Sequence, residues 1–126
     1  MKKLIVEQTS NSPKVILDAE NNRFEISGES RPPDAGEFYG EIIRWFEDYK
    51  AQDISNPAVV NLNFEYFNTP SARYILDLCK EIGIIRSKGR KMEIRWYYDE
   101  SDSEMHDAGH QMSRISGLPF EFVKRE

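Results

Sequence analysis

From Glu37 to the end of the chain the hydrophobic pattern switches back and forth between a helical and a strand period, and that alternation restricts the fold more than any other feature. Phe38, Ile42, Trp45, Phe46 and Tyr49 recur at helical spacing between Glu37 and Gln52, with Arg44, Glu47, Asp48 and Lys50 on other faces. After Pro57, the stretch 58–64 alternates apolar and polar residues from Val60 onward, as a strand buried mainly on one face does. Ile75, Leu78, Cys79 and Ile82 then restore a helical stripe. That helix continues through Gly83 and ends near Gly89, which suits the left-handed turn past a helix end. Residues 91–98 read as another strand, with Met92, Ile94, Trp96 and Tyr98 on one face. A weaker helical pattern lies within 99–116, and Gly117-Leu118-Pro119 leads into a last short strand, 120–123.

Upstream, residues 4–8 lean to strand, and 15–17 and 24–26 form a hairpin across Asp18-Ala19-Glu20-Asn21-Asn22-Arg23. The stretch 27–36 holds Gly28, Pro32, Pro33 and Gly36 and is predicted to be a connecting loop. The resulting order is β-β-β-α-β-α-β-α-β. Parallel strands need crossovers and helices supply them, so the expected fold is α/β, a single-domain mixed β-sheet packed with helices. This order resembles the anti-sigma-factor antagonist (STAS-like) architecture.

A length of 126 residues suits one domain, because a second core would have too little chain. The net charge of −5 and the absence of a Lys/Arg block leave no electrostatic footprint for nucleic acid or anionic lipid, so neither is expected as a partner. The apolar residues of Met1–Glu7 are too few for a signal-peptide core, and no apolar run approaches the roughly 20 residues of a membrane span. The single Cys79 excludes an internal disulfide and agrees with a reducing compartment, the cytoplasm.

One segment combines these elements into a candidate site. Thr is a good helix N-cap, Pro fits the first helical position, and a residue before Pro is pushed to the extended conformation that a cap needs, so Thr69-Pro70 reads as the mouth of the second helix. There the Thr69 hydroxyl would meet free backbone N–H groups and the positive end of the helix dipole, a place that tolerates phosphate. Spacing does not distinguish a phosphate acceptor from a simple capping threonine.

Tyr66-Phe67-Asn68-Thr69-Pro70-Ser71, followed by an amphipathic helix and then by Ile94-Arg95-Trp96-Tyr97-Tyr98-Asp99, resembles the SiaC family of bacterial regulatory phosphoproteins. The Gly28-Glu29-Ser30 turn, the aromatic first helix and the Pro119-Phe120-Glu121 ending are similar in order and spacing. The resemblance implies a non-catalytic partner-switching protein phosphorylated on Thr69 by a kinase with a histidine-kinase-like ATPase fold and dephosphorylated by a PP2C-like phosphatase. It further implies a downstream target such as a diguanylate cyclase, bound and activated by the unphosphorylated form. Asn68, Pro70, Ser71 and Arg73 would shape the surroundings of Thr69. Where family members often carry a second Ser or Thr after the acceptor, this chain has Pro70, which leaves Ser71 as an alternative acceptor.

Other constellations have plainer readings. His106 and His110 stand at i and i+4, as in zinc-protease helices, but Asp107 replaces the longer Glu and no third His exists, so a surface helix is expected and no metal. A small metal-dependent hydrolase built on these two residues, and an anti-sigma-factor antagonist of STAS type, are the alternative functions. The acidic stretch 99–104 lacks the glycine and terminal Glu of a calcium loop. Trp96, Tyr97 and Tyr98 suggest a strand buried on both sides, and Cys79 an inert core thiol. In the first helix, Tyr39, Ile43 and Trp45 cannot all share one arc with Phe38, Ile42, Phe46 and Tyr49, which makes them a candidate partner surface. No cofactor of the chain's own is implied.

Overall fold

The computed structural model describes residues Met1–Glu126. Its elements run β1 (Leu4–Val6), β2 (Lys14–Asp18), β3 (Arg23–Ser30), α1 (Ala35–Lys50), β4 (Ala58–Phe67), α2 (Thr69–Ser87), β5 (Met92–Asp99), α3 (Ser103–Ser116) and β6 (Phe120–Arg125), the order that the periodicities predict. All six strands join one sheet in the order β1-β2-β3-β4-β5-β6. The pairs β1·β2 and β2·β3 are antiparallel, and β3·β4, β4·β5 and β5·β6 are parallel. The β2–β3 turn is held by Asp18, which accepts from the Asn21 side chain at 2.7 Å, while Asn22 takes the left-handed conformation (φ 53) that Asn tolerates.

Three parallel crossovers taken in the same direction place their helices on one face of the sheet. Phe24 and Ile26 of β3, Val60, Leu62 and Phe64 of β4, and Ile94 and Trp96 of β5 point to that face and join the buried residues of α1, α2 and α3 in one hydrophobic cluster. The opposite face is polar. There the Tyr97 hydroxyl donates to Asn61 at 2.8 Å, and Arg125 donates to Asn63 at 2.8 Å. The expectation of a fifth strand buried on both sides is thus corrected: Trp96 is fully buried, whereas Tyr97 lies on the open face, because no helix crosses behind it.

The predicted loop 27–36 is also shorter than expected. β3 continues to Ser30 across a register shift between Gly28 and Glu29, with Glu29 paired to Tyr66 and Ser30 to Phe67. Gly28, with φ +113, serves a bulge inside the strand and does not end it.

In α1, Asp34 caps the helix by accepting from the Glu37 N–H at 3.0 Å. Its buried residues include Tyr39 (0% exposed) and Trp45 (7%), so these two are core and not a partner surface, and Ile43 is half-buried. The reason is the aromatic packing beneath the helix. Phe24 of β3 meets Trp45, Phe46 and Tyr49 together, Trp45 stacks on Tyr49 at 5.5 Å, and its indole N–H donates to the Lys2 carbonyl at 2.8 Å. The N-terminal segment covers the edge of α1 that periodicity leaves open.

α3 rests on Trp96, whose indole N–H donates to the Met105 carbonyl at 3.0 Å. A Cβ on Gly109 would lie 2.5 Å from the Trp96 ring. Helix propensity alone predicts that Gly109→Ala stabilises by about 1 kcal/mol. Overpacking against the indole should instead destabilise by about 1–3 kcal/mol, read as a lower thermal midpoint. A higher midpoint in the alanine variant would show that α3 does not approach Trp96 this closely.

Candidate functional site

β4 ends at Phe67 and α2 begins at Thr69, with Asn68 between them in an extended conformation (φ −84, ψ 175). Asn68 is the N-cap. Its side-chain oxygen accepts from the Ser71 N–H at 3.0 Å, and its carbonyl accepts from the Ala72 N–H at 2.9 Å. The expected roles therefore shift by one residue: Thr69 is the first helical residue and Pro70 the second, where a missing N–H is equally harmless.

This shift changes the chemistry of the helix mouth. A helix start leaves four N–H groups without intrahelical partners. Here the Asn68 N–H goes to the Ser30 carbonyl at 3.0 Å, Pro70 has none, and the Ser71 N–H goes to Asn68. Only the Thr69 N–H is left for a ligand. The Thr69 hydroxyl is exposed and takes part in no hydrogen bond, because Asn68 performs the capping.

Directly behind the segment lies a buried polar cluster. Ser30 bonds to the Tyr39 hydroxyl and donates to the Ser71 hydroxyl at 3.0 Å, and all three residues are fully buried. Ser71 is consequently no accessible alternative acceptor; its hydroxyl faces the interior. Burial raises the pKa of the Tyr39 phenol well above its ordinary value, so the group stays a neutral hydrogen-bonding partner. Ser30 is the site residue that sequence reading misses, and Tyr39 is one that it assigns to a partner surface. Ser30 has only the Gly28-Glu29-Ser30 turn as its signal, and Tyr39 reads as part of an aromatic stripe.

On the outer side, Arg73 is exposed four residues after Thr69, on the same face of α2. Between the end of β4 and the start of α3 opens a cleft of about 220 Å³ lined by Glu65, Tyr66, Phe67, Asp102, Glu104, Met105 and Ala108, with Tyr66 51% exposed. The acidic stretch after β5 is structural: Ser101 holds the Asp99 carboxyl below its usual range by hydrogen bonding, and Asp102 caps α3 by accepting from the Met105 N–H at 3.0 Å. Cys79 is fully buried and its thiol is pushed up to about 12, which makes it inert. His106 and His110 face each other on α3, with no third His, Cys, Asp or Glu to complete a group of three. No helix is long and apolar enough to cross a membrane.

The accounting at the helix mouth has measurable consequences. Asn68→Ala removes the cap and should cost about 1 kcal/mol. Tyr39→Phe keeps the shape but strips a buried hydroxyl from Ser30, and should cost about 1–3 kcal/mol. Denaturant melts of both variants check this, and an unchanged midpoint for Tyr39→Phe would mean that the buried cluster is not formed.

The chain matches the family described as SiaC family regulatory phosphoprotein over residues 6–125. An uncharacterized protein of Pseudomonas aeruginosa (strain UCBPP-PA14) is 26% identical over 120 residues, covering 95% of this chain and 94% of the relative. The crystal structure of apo-SiaC from Pseudomonas aeruginosa superimposes with a TM-score of 0.87 at 25% identity, covering 98% of this chain and 99% of that one. A third likeness, with a TM-score of 0.88 at 24% identity over 97% of this chain and 99% of the other, is to the structure of the diguanylate cyclase SiaD in complex with its activator SiaC from the same organism. With its fold and a match that spans nearly every residue, this chain belongs to the SiaC family of regulatory phosphoproteins.

Proposed function

We propose that the chain is a non-catalytic partner-switching protein whose hold on its target is set by reversible phosphorylation of Thr69. The observation that carries the reading is the division of labour at the start of α2: Asn68 caps, Ser71 turns inward, and the Thr69 hydroxyl between them is exposed and unbonded. A hydroxyl with no part in the fold is open to modification without damage to it. The family supports a regulatory phosphoprotein, and the SiaC of Pseudomonas aeruginosa, which activates the cyclase SiaD, supports a diguanylate cyclase as target. A histidine-kinase-like kinase adds the phosphate and a PP2C-like phosphatase removes it, in the cytoplasm. Any ATP and metal belong to those enzymes. With Tyr39 and Trp45 in the core, the target docks on the cleft that the end of β4 makes with α3, where Tyr66, exposed, stands with Phe67, Met105 and Ala108.

Phosphorylation adds about −1.5 to −2 charge at neutral pH. The helix dipole offsets a share worth about 0.3–1 kcal/mol, and Arg73 and the Thr69 N–H are the remaining partners in reach. The isolated protein tolerates that. At a packed interface shaped for a neutral hydroxyl, a poorly paired dianion costs about 2–5 kcal/mol, or roughly thirtyfold to several thousandfold in affinity.

Titration of a diguanylate cyclase with both forms should therefore show that large weakening on phosphorylation, while thermal midpoints stay within a few degrees. Thr69→Ala should stay locked in the target-bound state, and Thr69→Asp, with one charge and the wrong geometry, should mimic phosphate only in part. Equal affinities for the two forms, or phosphate on a residue other than Thr69, would defeat the proposal.

Tyr66→Ala should weaken the same complex by about tenfold or more, as loss of an exposed aromatic anchor does, without lowering stability. Wild-type affinity in this variant would place the docking surface elsewhere.

A further inference from the structure

The two histidines of α3 take no part in the switch, and their geometry is that of a chelate. They stand four residues apart on one side of the helix, and their Nε2 atoms share a hydrogen bond at 3.2 Å that a bound ion would replace. An ion bound to two imidazoles at about 2.0–2.1 Å separates the nitrogens by about 2.9 Å at a right angle and about 3.3 Å at the tetrahedral angle. The observed gap falls between these limits.

Packing sets both rings in advance. His110 stacks on Phe122 of β6, with centroids 3.8 Å apart and planes 12° apart, and His106 stands edge-on to Tyr98 of β5 at 4.8 Å. On the far side of His106, Nδ1 lies 3.3 Å from the Asp107 carboxylate, an acceptor for an Nδ1–H in the tautomer that offers the Nε2 lone pair to a ligand. The contact of Gly109 with Trp96, between the two histidines in sequence, seats this stretch of α3 against β5 and brings its ring face to β6.

We propose that His106 and His110 form a bidentate, exchangeable site for a borderline divalent transition ion (Cu²⁺, Ni²⁺ or Zn²⁺), with Asp107 as the positioning residue. Imidazole nitrogen selects this class over Mg²⁺ and Ca²⁺, which take oxygen ligands. With no third protein ligand in a group and with both rings reaching solvent, water fills the other positions. The site is neither a closed structural zinc centre nor a three-ligand catalytic one. It is a surface position that a donor from another molecule can complete.

The test is titration of the full chain, untagged and stripped with chelator, with Ni²⁺, read by calorimetry and by paramagnetic broadening of ring resonances. One saturable site per chain is expected, with broadening centred on His106, His110, Tyr98 and Phe122 that an excess of Mg²⁺ does not reverse. His106→Gln and His110→Gln should each weaken binding by more than about tenfold, and Asp107→Asn by about tenfold. Thermal melts establish that each variant is folded, and the wild-type broadening locates the ion independently of the variants. Absence of saturable Ni²⁺ binding, broadening centred on another part of the chain, or unchanged binding in both glutamine variants would overturn the site.

Discussion

Ser30, Tyr39, Asn68 and Ser71 meet at one corner of the molecule, where β3 ends, β4 ends and both α1 and α2 begin. Two pairs of consecutive elements, β3 with α1 and β4 with α2, are tied there by a few hydrogen bonds around buried hydroxyls. Unmade, those polar groups would each carry a desolvation penalty; made, they fix where the second helix starts to within one residue. The position of Thr69 follows from that. The bulge at Gly28 belongs to the same device, because without it Ser30 would not stand beside Phe67 and Asn68. The register of β3 on β4, the entry angle of α2 and the exposure of the acceptor are thus consequences of one buried cluster.

The electrostatics of the helix mouth point the same way. Many helix starts are anion sites because several N–H groups are free. This one has given all but one of its donors to its own fold. A phosphate on Thr69 is consequently held loosely by the protein that carries it, and most of its effect is left for a second surface to register. Charge that changes binding and leaves folding nearly untouched is what a partner switch requires. A helix mouth with every donor free would hold a phosphate more closely and conceal more of its charge.

Much of this architecture is legible in the residues. The order of nine elements follows from hydrophobic period and from breakers, and the stripe Ile75, Leu78, Cys79, Ile82 is buried as its spacing requires. What escapes is set by contacts between distant segments. Trp45 is buried because residues near the N-terminus cover it, and no helical wheel contains Lys2. Tyr97 is left on an open face because the crossovers share one direction, and strand composition carries no information about which side a helix takes. At the site, Asn68 and Thr69 are both capping residues, and propensity favours Asn only slightly while Pro70 favours an extended Thr69; the Ser30 carbonyl, which receives the Asn68 N–H, adds its weight to Asn68. Gly109 reads as a weak point in a helix, yet its role lies in the neighbouring indole.

The strand order of the sheet follows the order of the chain without exception. No strand has to be inserted between two that are already paired, and none waits for a later segment to fill a gap. A chain that emerges N-terminus first from the ribosome adds each new strand at the growing edge, and each helix can close over the strands it covers as soon as its own crossover is complete. The parallel pairings, which are slow to form when their partners are far apart, join only strands that are successive in the sequence. The topology therefore permits assembly from one edge of the sheet to the other, with β6 as the strand at the far edge.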